Sequence, residues 1–193
     1  MNPCVSSHFA SMPAIYVGNH TSTLDAFISI WLWPYGACGV FKKEAARIPF
    51  FGQLLLLSGH LLLDRKNHAN AIDAMKDMAQ LMKKYRLGIW MMPEGTRSKD
   101  GRVGKFKTGF VHMAIATGLP IVPVAIHRAH HNWPMGALNY RSMELEIDIL
   151  PAIDTTGWKE ETSAAHADYV RDVLSAALKE DQRHVPPPIA IAA

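Results

Sequence analysis

His20 and Asp25 stand five residues apart in the stretch Gly18-Asn19-His20-Thr21-Ser22-Thr23-Leu24-Asp25. A carboxylate on one imidazole nitrogen fixes the tautomer and supports the imidazolium, leaving the other nitrogen free to act as a base. On a regular helix the two would be separated by about 140° and could not meet. They meet only if the intervening residues form a turn and Asp25 lies in the first turn of the helix that follows. A second reading stands beside this one. Ser22-Thr23-Leu24-Asp25 also fits a capping pattern in which Asp25 serves only the helix N-terminus.

A second chemistry-bearing stretch is Pro93-Glu94-Gly95-Thr96-Arg97-Ser98-Lys99-Asp100-Gly101. Gly95 lets backbone come close to a ligand. Thr96 and Ser98 offer hydroxyls, and Arg97 offers a forked donor suited to phosphate. Lys105 and Lys107 follow. Two further cationic positions are Lys43, in Lys42-Lys43-Glu44-Ala45-Ala46-Arg47, and Arg65, directly after Leu61-Leu62-Leu63-Asp64. The first could bind an anion or lie on a solvated turn. The second could stand at a ligand edge or pair with Asp64.

The elements that position these residues alternate between strand and helix. Short apolar runs at Ala14–Val17, Ala37–Phe41, Leu61–Leu63, Ile89–Met92 and Ile121–Ile126 read as strands, the last demoted in part to an edge or bulge by Pro123. Helices are expected over Ala26–Trp33, Asn67–Tyr85, Thr108–Thr117 and Trp158–Lys179. In the second, Ile72, Met75, Ala79 and Met82 form one apolar face. In the last, Ala165, Tyr169, Val173, Leu174 and Leu178 are its apolar positions. Phe50–Leu57 reads as a helix that is either buried or laid against lipid. Met143–Ile149 alternates as a half-exposed strand. The pattern is that of an α/β fold: one domain over residues 1–185 with a mixed, mostly parallel central sheet flanked by helices, and a loose tail over 186–193. In such a sheet, ligands bind beyond the carboxyl ends of the strands.

The whole chain has 193 residues, 49% hydrophobic and 19% charged, with a net charge of +3. That suits anionic ligands or an anionic membrane surface and is too weak to argue for nucleic acid. Cys4 and Cys38 read as free thiols of a reducing compartment, with no metal-type spacing. His127-Arg128-Ala129-His130-His131 reads as solvated loop histidines, because no carboxylate or cysteine lies at ligand spacing; no metal is expected. Met1–Met12 does not read as a signal peptide, and the longest apolar run, Phe50–Leu63, is too short and too interrupted to span a bilayer.

Four stretches, in order, resemble the motifs of the glycerolipid acyltransferase family, most closely its lysophosphatidate-acylating, PlsC-like branch. N-H-x4-D is met by Asn19 to Asp25. The second motif is met by Gly59-His60-Leu61-Leu62-Leu63-Asp64-Arg65. The third, F-P-E-G-T-R-S, is met by Met92 to Ser98, with Met92 for Phe. The fourth is met by Gly118-Leu119-Pro120-Ile121-Val122-Pro123-Val124. Lys43-Glu44 and Ile48-Pro49-Phe50-Phe51-Gly52 resemble the segment between the first two. The motif region covers residues 14–126.

The resemblance implies transfer of a fatty acyl group from an acyl thioester, acyl-CoA or acyl-carrier protein, to the free sn-2 hydroxyl of 1-acyl-glycerol-3-phosphate. His20 would be the base and Asp25 its orienter. Arg65 and Arg97, helped by Lys43, would bind the acceptor phosphate, with Glu94, Gly95 and Thr96 shaping that turn. No cofactor beyond the thioester co-substrate is implied. The protein would sit on the cytoplasmic face of a membrane, peripheral or monotopic. Family members often carry an N-terminal apolar helical segment, and only about a dozen residues precede the first strand here. Trp31, Trp33 and Phe50–Leu57 are the alternative membrane contacts. The competing readings are glycerol-3-phosphate or another lysolipid as acceptor, a thioester hydrolase, and a non-catalytic lipid-phosphate-binding module. No nucleophile-elbow G-x-S-x-G supports the hydrolase.

Overall fold

The computed structural model describes residues 13–32, 36–64, 68–134 and 139–185. The expectations for Trp33, Arg65 and the tail over 186–193 lie outside the described residues.

Five parallel strands and one antiparallel strand make a sheet in the order β3-β2-β4-β1-β5-β6. These are β1 (Ile15–Gly18), β2 (Ala37–Lys42), β3 (Leu61–Leu63), β4 (Gly88–Met91), β5 (Ile121–Ile126) and β6 (Ile147–Ile149). Between them run α1 (Asp25–Leu32), α2 (Phe51–Leu57), α3 (His68–Tyr85), α4 (Gly109–Thr117) and the single turn α5 (Ala129–Asn132); α6 (Ser163–Ala177) follows β6. β1, β4 and β5 are buried along their whole length, as strands covered on both faces must be.

Side-chain alternation splits the core into two clusters. Ile15, Val17, Ile89 and Met91 face Met78 and Met82 of α3, Phe110 and Met113 of α4, and Val170 and Leu174 of α6. Tyr16, Trp90, Val122, Val124 and Ile126 face the other way, onto Ile28 and Leu32 of α1. Tyr16 and Trp90 stack at 6.3 Å between ring centroids. The methionine face of α3 is core, as its spacing predicts, with Met78 joining Ala79 and Met82 among its buried residues.

Three expectations are corrected. The last helix starts at Ser163, after a 3-10 turn over Glu160–Thr162, and its buried residues are Ala167, Val170, Leu174 and Ser175. Ala165 and Tyr169 face solvent, whereas Leu174 and Leu178 are buried as expected. The strand expected over Met143–Ile149 is paired only from Ile147, with the Glu146 carbonyl accepting the His127 N–H at 3.0 Å. The helix at Phe51–Leu57 buries only Gly52 and Leu55, so its reading as a buried helix fails.

Pro123 lies in an interior strand, and a bulge accommodates it. Val122 and Pro123 of β5 stand opposite three residues, Leu150 to Ala152, between the Ile121–Ile153 bridge and the Val124–Ile149 pair. The proline's missing donor falls where the ladder is already out of step.

Candidate active site

Because the five strands are parallel, their carboxyl ends share one edge. The segments leaving β1, β4 and β5 meet there. Asn19 is fully buried directly past β1. Its side-chain amide donates to the Ile126 carbonyl at 2.9 Å and its oxygen accepts the Ile126 N–H at 2.8 Å. The side chain thereby replaces one more rung of the β1–β5 ladder, and the main chain is free to turn away at His20.

The turn brings His20 Nδ1 to 2.9 Å from Asp25 Oδ2. The same carboxylate oxygen accepts the N–H groups of Thr21 and Ser22, both at 2.7 Å. Ser22 Oγ in turn accepts the Leu24 N–H at 3.0 Å. Asp25 therefore makes both contacts at once: it holds N–H groups at the helix N-terminus and it meets the imidazole. Asp25 is fully buried, whereas the His20 side chain is 22% exposed, so the ring's other nitrogen is the one a substrate can reach.

The turn after β4 is locked to this one. Glu94 Oε1 accepts the His20 N–H at 2.8 Å and Glu94 Oε2 accepts the Gly104 N–H at 3.0 Å. The Ser98 N–H donates to the His20 carbonyl at 2.8 Å. Burial pushes the Glu94 carboxyl up to about 7; the Asp25 and Asp100 carboxylates add to this and the two N–H donors oppose it. Gly95 has φ +72°, and a Cβ there would meet the Lys107 side chain at 3.0–3.1 Å. Lys107 thus lies against the backbone of the Glu-Gly-Thr-Arg turn. Arg97 donates to Thr23 Oγ1, which ties the cationic turn to the residues between His20 and Asp25.

Among the residues expected at the site, His20, Asp25, Glu94, Gly95, Thr96 and Arg97 are brought to one place. Lys43 sits at the same edge beyond β2, in a 3-10 turn over Lys43–Arg47, 3.6 Å from Asp64 Oδ2. The pairing of Asp64 with Arg65 lies outside the described residues. Asn19 and Thr23 lie inside the N-H-x4-D motif and Lys107 follows the Glu-Gly-Thr-Arg turn, but the sequence reading gave none of the three the contact it makes here.

The histidine tract departs from the expectation of solvated loop residues. His127 is buried, with Nε2 3.0 Å from Asp148 Oδ2. The fold also brings carboxylates that the local sequence lacks: Glu146 and Asp148 near His127, and Asp181 near His130 and His131. Two of these carboxylates already hold cationic side chains, Glu146 with Lys179 at 2.8 Å and Asp181 with Arg128 at 3.0 Å.

Comparison with known proteins places the chain among acyltransferases. A sequence model of the Acyltransferase family matches residues 5–127. The chain is 40% identical over 170 residues, 88% of its length, to the 1-acyl-sn-glycerol-3-phosphate acyltransferase of Limnanthes douglasii, of which it spans 60%. It is 34% identical over 172 residues to the Escherichia coli K12 protein of the same name, covering 89% of this chain and 69% of that one. The crystal structure of the 1-acyl-sn-glycerophosphate acyltransferase PlsC from Thermotoga maritima superposes with a TM-score of 0.72 at 25% identity, over 88% of this chain and 67% of that chain. With the family model matched over residues 5–127 and relatives at 34–40% identity, the chain belongs to the acyltransferase family.

Proposed function

We propose that the protein transfers a fatty acyl group from an acyl thioester to the free sn-2 hydroxyl of 1-acyl-glycerol-3-phosphate. The observation that carries this reading is the His20–Asp25 pair at 2.9 Å, facing the same strand edge as Arg97. With Asp25 on Nδ1, His20 Nε2 removes the proton from the acceptor hydroxyl. The oxygen attacks the thioester carbonyl carbon, the C–O bond forms, and the C–S bond breaks from the tetrahedral intermediate. The imidazolium returns the proton to the departing thiolate. A positioned base of this kind contributes roughly 10²–10⁴-fold.

Arg97, and Arg65 by its motif, bind the acceptor phosphate; Lys43, at the same edge, assists. Glu94 and Gly95 hold the turn, and Thr96 supplies a hydroxyl. The transfer is redox-neutral and needs no cofactor beyond the thioester donor, acyl-CoA or acyl-carrier protein. The enzyme acts at a membrane surface, where its acceptor resides. No helix among the described residues is long and apolar enough to cross a membrane. Exposed Trp31 of α1 and Leu54, Leu56 and Leu57 of α2 give it apolar contacts with the surface.

The hydrolase reading requires a serine nucleophile on His20. The serines of the two turns are engaged elsewhere: Ser22 Oγ donates to the Trp133 carbonyl at 2.7 Å, and Ser98 Oγ donates to Asp100 at 2.8 Å. This favours direct attack without an acyl-enzyme.

The test is thiol release from palmitoyl-CoA with and without lysophosphatidate, in wild type and His20→Ala. Release that depends on the acceptor and drops roughly 10²–10⁴-fold in His20→Ala is expected. Acceptor-independent release would identify a hydrolase, and activity surviving in His20→Ala would remove the base. Glycerol-3-phosphate and other lysolipids as acceptors measure the selectivity.

A further inference from the structure

Two cavities flank Ser98, the residue whose N–H holds the His20 carbonyl. One, of about 320 Å³, is walled by Glu94, Thr96, Arg97, Arg102 and Lys105. It belongs to the acceptor-phosphate turn. The other, of about 260 Å³, opens toward α5 and is walled by Thr21, Ser98, Lys99, His130, His131 and Arg141. No step of the proposed reaction has used it.

The chemistry of this second cavity is that of an anion site. Lys99 and Arg141 are exposed, and neither has a carboxylate partner among the described residues. Both side chains line the one cavity, where an anion would be held by two cations. A second observation is independent of the charges. Thr21 is 1% exposed, and its buried hydroxyl has no hydrogen-bond partner among the described residues. His130 Nδ1 is likewise buried without a partner. Buried polar atoms ordinarily find partners, so these two stand ready for a ligand atom.

The reaction supplies two anionic substrates to one base. In the acceptor, the reacting hydroxyl and the phosphate sit on adjacent glycerol carbons, so that phosphate must lie close to His20, at the Arg97 turn. In the donor, a pantetheine arm separates the thioester from the phosphates. The donor's phosphates therefore need a separate site, reached past Thr21. Lys99, beyond the Thr96–Ser98 turn, and Arg141, on the segment leading to β6, supply its cations. We propose that the cavity between Thr21, Lys99, His130 and Arg141 binds a phosphate group of the acyl-thioester donor. The assignment rests on the acyl-transfer reading given above.

The variants that test it are Lys99→Ala/Arg141→Ala, which removes two exposed side chains, and Thr21→Val, which removes the orphan hydroxyl. Coenzyme A binding, followed by calorimetry without any turnover, should weaken about tenfold or more in the double variant. KM for palmitoyl-CoA should rise by a similar factor while KM for lysophosphatidate stays unchanged. With palmitoyl-pantetheine, which carries no phosphate, the double variant and wild type should turn over alike. Palmitoyl-4′-phosphopantetheine then identifies the phosphate: sensitivity assigns the one shared by coenzyme A and carrier-protein donors, insensitivity the nucleotide phosphates. Unchanged coenzyme A binding, or a rise in KM for lysophosphatidate instead, would overturn the assignment. Coenzyme A binding that weakens in a protein showing no acyl transfer would leave this site standing and defeat the proposed activity.

Discussion

Glu94 Oε1 accepts the backbone N–H of His20 at 2.8 Å across 74 residues of chain, so the carboxylate of one turn holds the main chain of the other. Both of its oxygens are committed, the second to Gly104. Protonation puts a hydrogen on one oxygen and costs one of these bonds, which loosens the turn that aims His20.

With the Glu94 carboxyl pushed up to about 7, activity should carry a limb that rises with pH through that value. Stability should move the opposite way. Between the ordinary value of 4.5 and about 7, the native state binds more protons than the unfolded chain, so stability falls as pH rises. The total is roughly 3 kcal/mol. Glu94→Gln cannot titrate, and its amide nitrogen faces an N–H donor. It should flatten this slope, remove the limb and lower kcat about tenfold. Urea unfolding of both proteins across this pH range is the measurement, and parallel slopes would disprove the account.

Asn19 makes two buried hydrogen bonds to the main chain of Ile126. Asn19→Ala leaves the buried Ile126 N–H without its partner and the Ile126 carbonyl with only the Gln182 Nε2 donor at 3.4 Å, at a cost of about 1–3 kcal/mol. Asn19→Asp should also be strongly destabilising, because an oxygen then opposes the Ile126 carbonyl. The Ile126 amide, protected in wild type, should exchange faster with deuterium in both variants. Unchanged protection would mean that the β1–β5 ladder holds without Asn19.

The sheet was legible because its strands are short, apolar runs buried on both faces, each followed by polar turn residues: Ile15–Gly18 before Asn19, and Gly88–Met91 before Pro93-Glu94. The pairing of His20 with Asp25 was legible as a choice between catalysis and capping. Only the folded structure shows that a single oxygen, Asp25 Oδ2, both meets His20 Nδ1 and accepts the N–H groups of Thr21 and Ser22. Contacts made across long separations carried no local signal. Glu94 to His20, Arg97 to Thr23 and His127 to Asp148 depend on which strands are neighbours. The first turns of α6 were misread at Ala165 and Tyr169 because alanines occur on both its faces, whereas Leu174 and Leu178 mark the buried side and were read as such.

Gly52 is required by a close approach of main chain to main chain. A Cβ built there would lie 2.0 Å from the Ala46 carbonyl oxygen. The start of α2 therefore packs directly on the 3-10 turn that carries Lys43. Gly52→Ala must push the two apart, and the expected loss is about 1–3 kcal/mol despite the better helix propensity of alanine. Gly59→Ala is the comparison, since nothing lies within 4 Å of that position and only its φ of +70° is strained. Thermal unfolding of the two variants separates steric approach from backbone conformation. A neutral Gly52→Ala would show that α2 is free to shift.

Phe50, directly before α2, combines two unfavourable features. Its backbone is at φ +63°, ψ −49°, a region that a bulky residue avoids, and it is 88% exposed. Within the chain, the ring gains little burial to offset that strain. Leu57, at the other end of the helix, is also 88% exposed. A membrane surface would bury both and account for their retention. Phe50→Gly should then raise stability in water by about 1–3 kcal/mol, through relief of the strained φ. It should also weaken binding to phospholipid vesicles by about tenfold or more, through loss of the ring's burial. Leu57→Ser should weaken vesicle binding without the gain in stability, because its backbone is ordinary helix. Sedimentation with vesicles, alongside urea unfolding, reads both quantities. A Phe50→Gly protein that is more stable and still binds vesicles like wild type would show that this end of α2 does not meet the membrane.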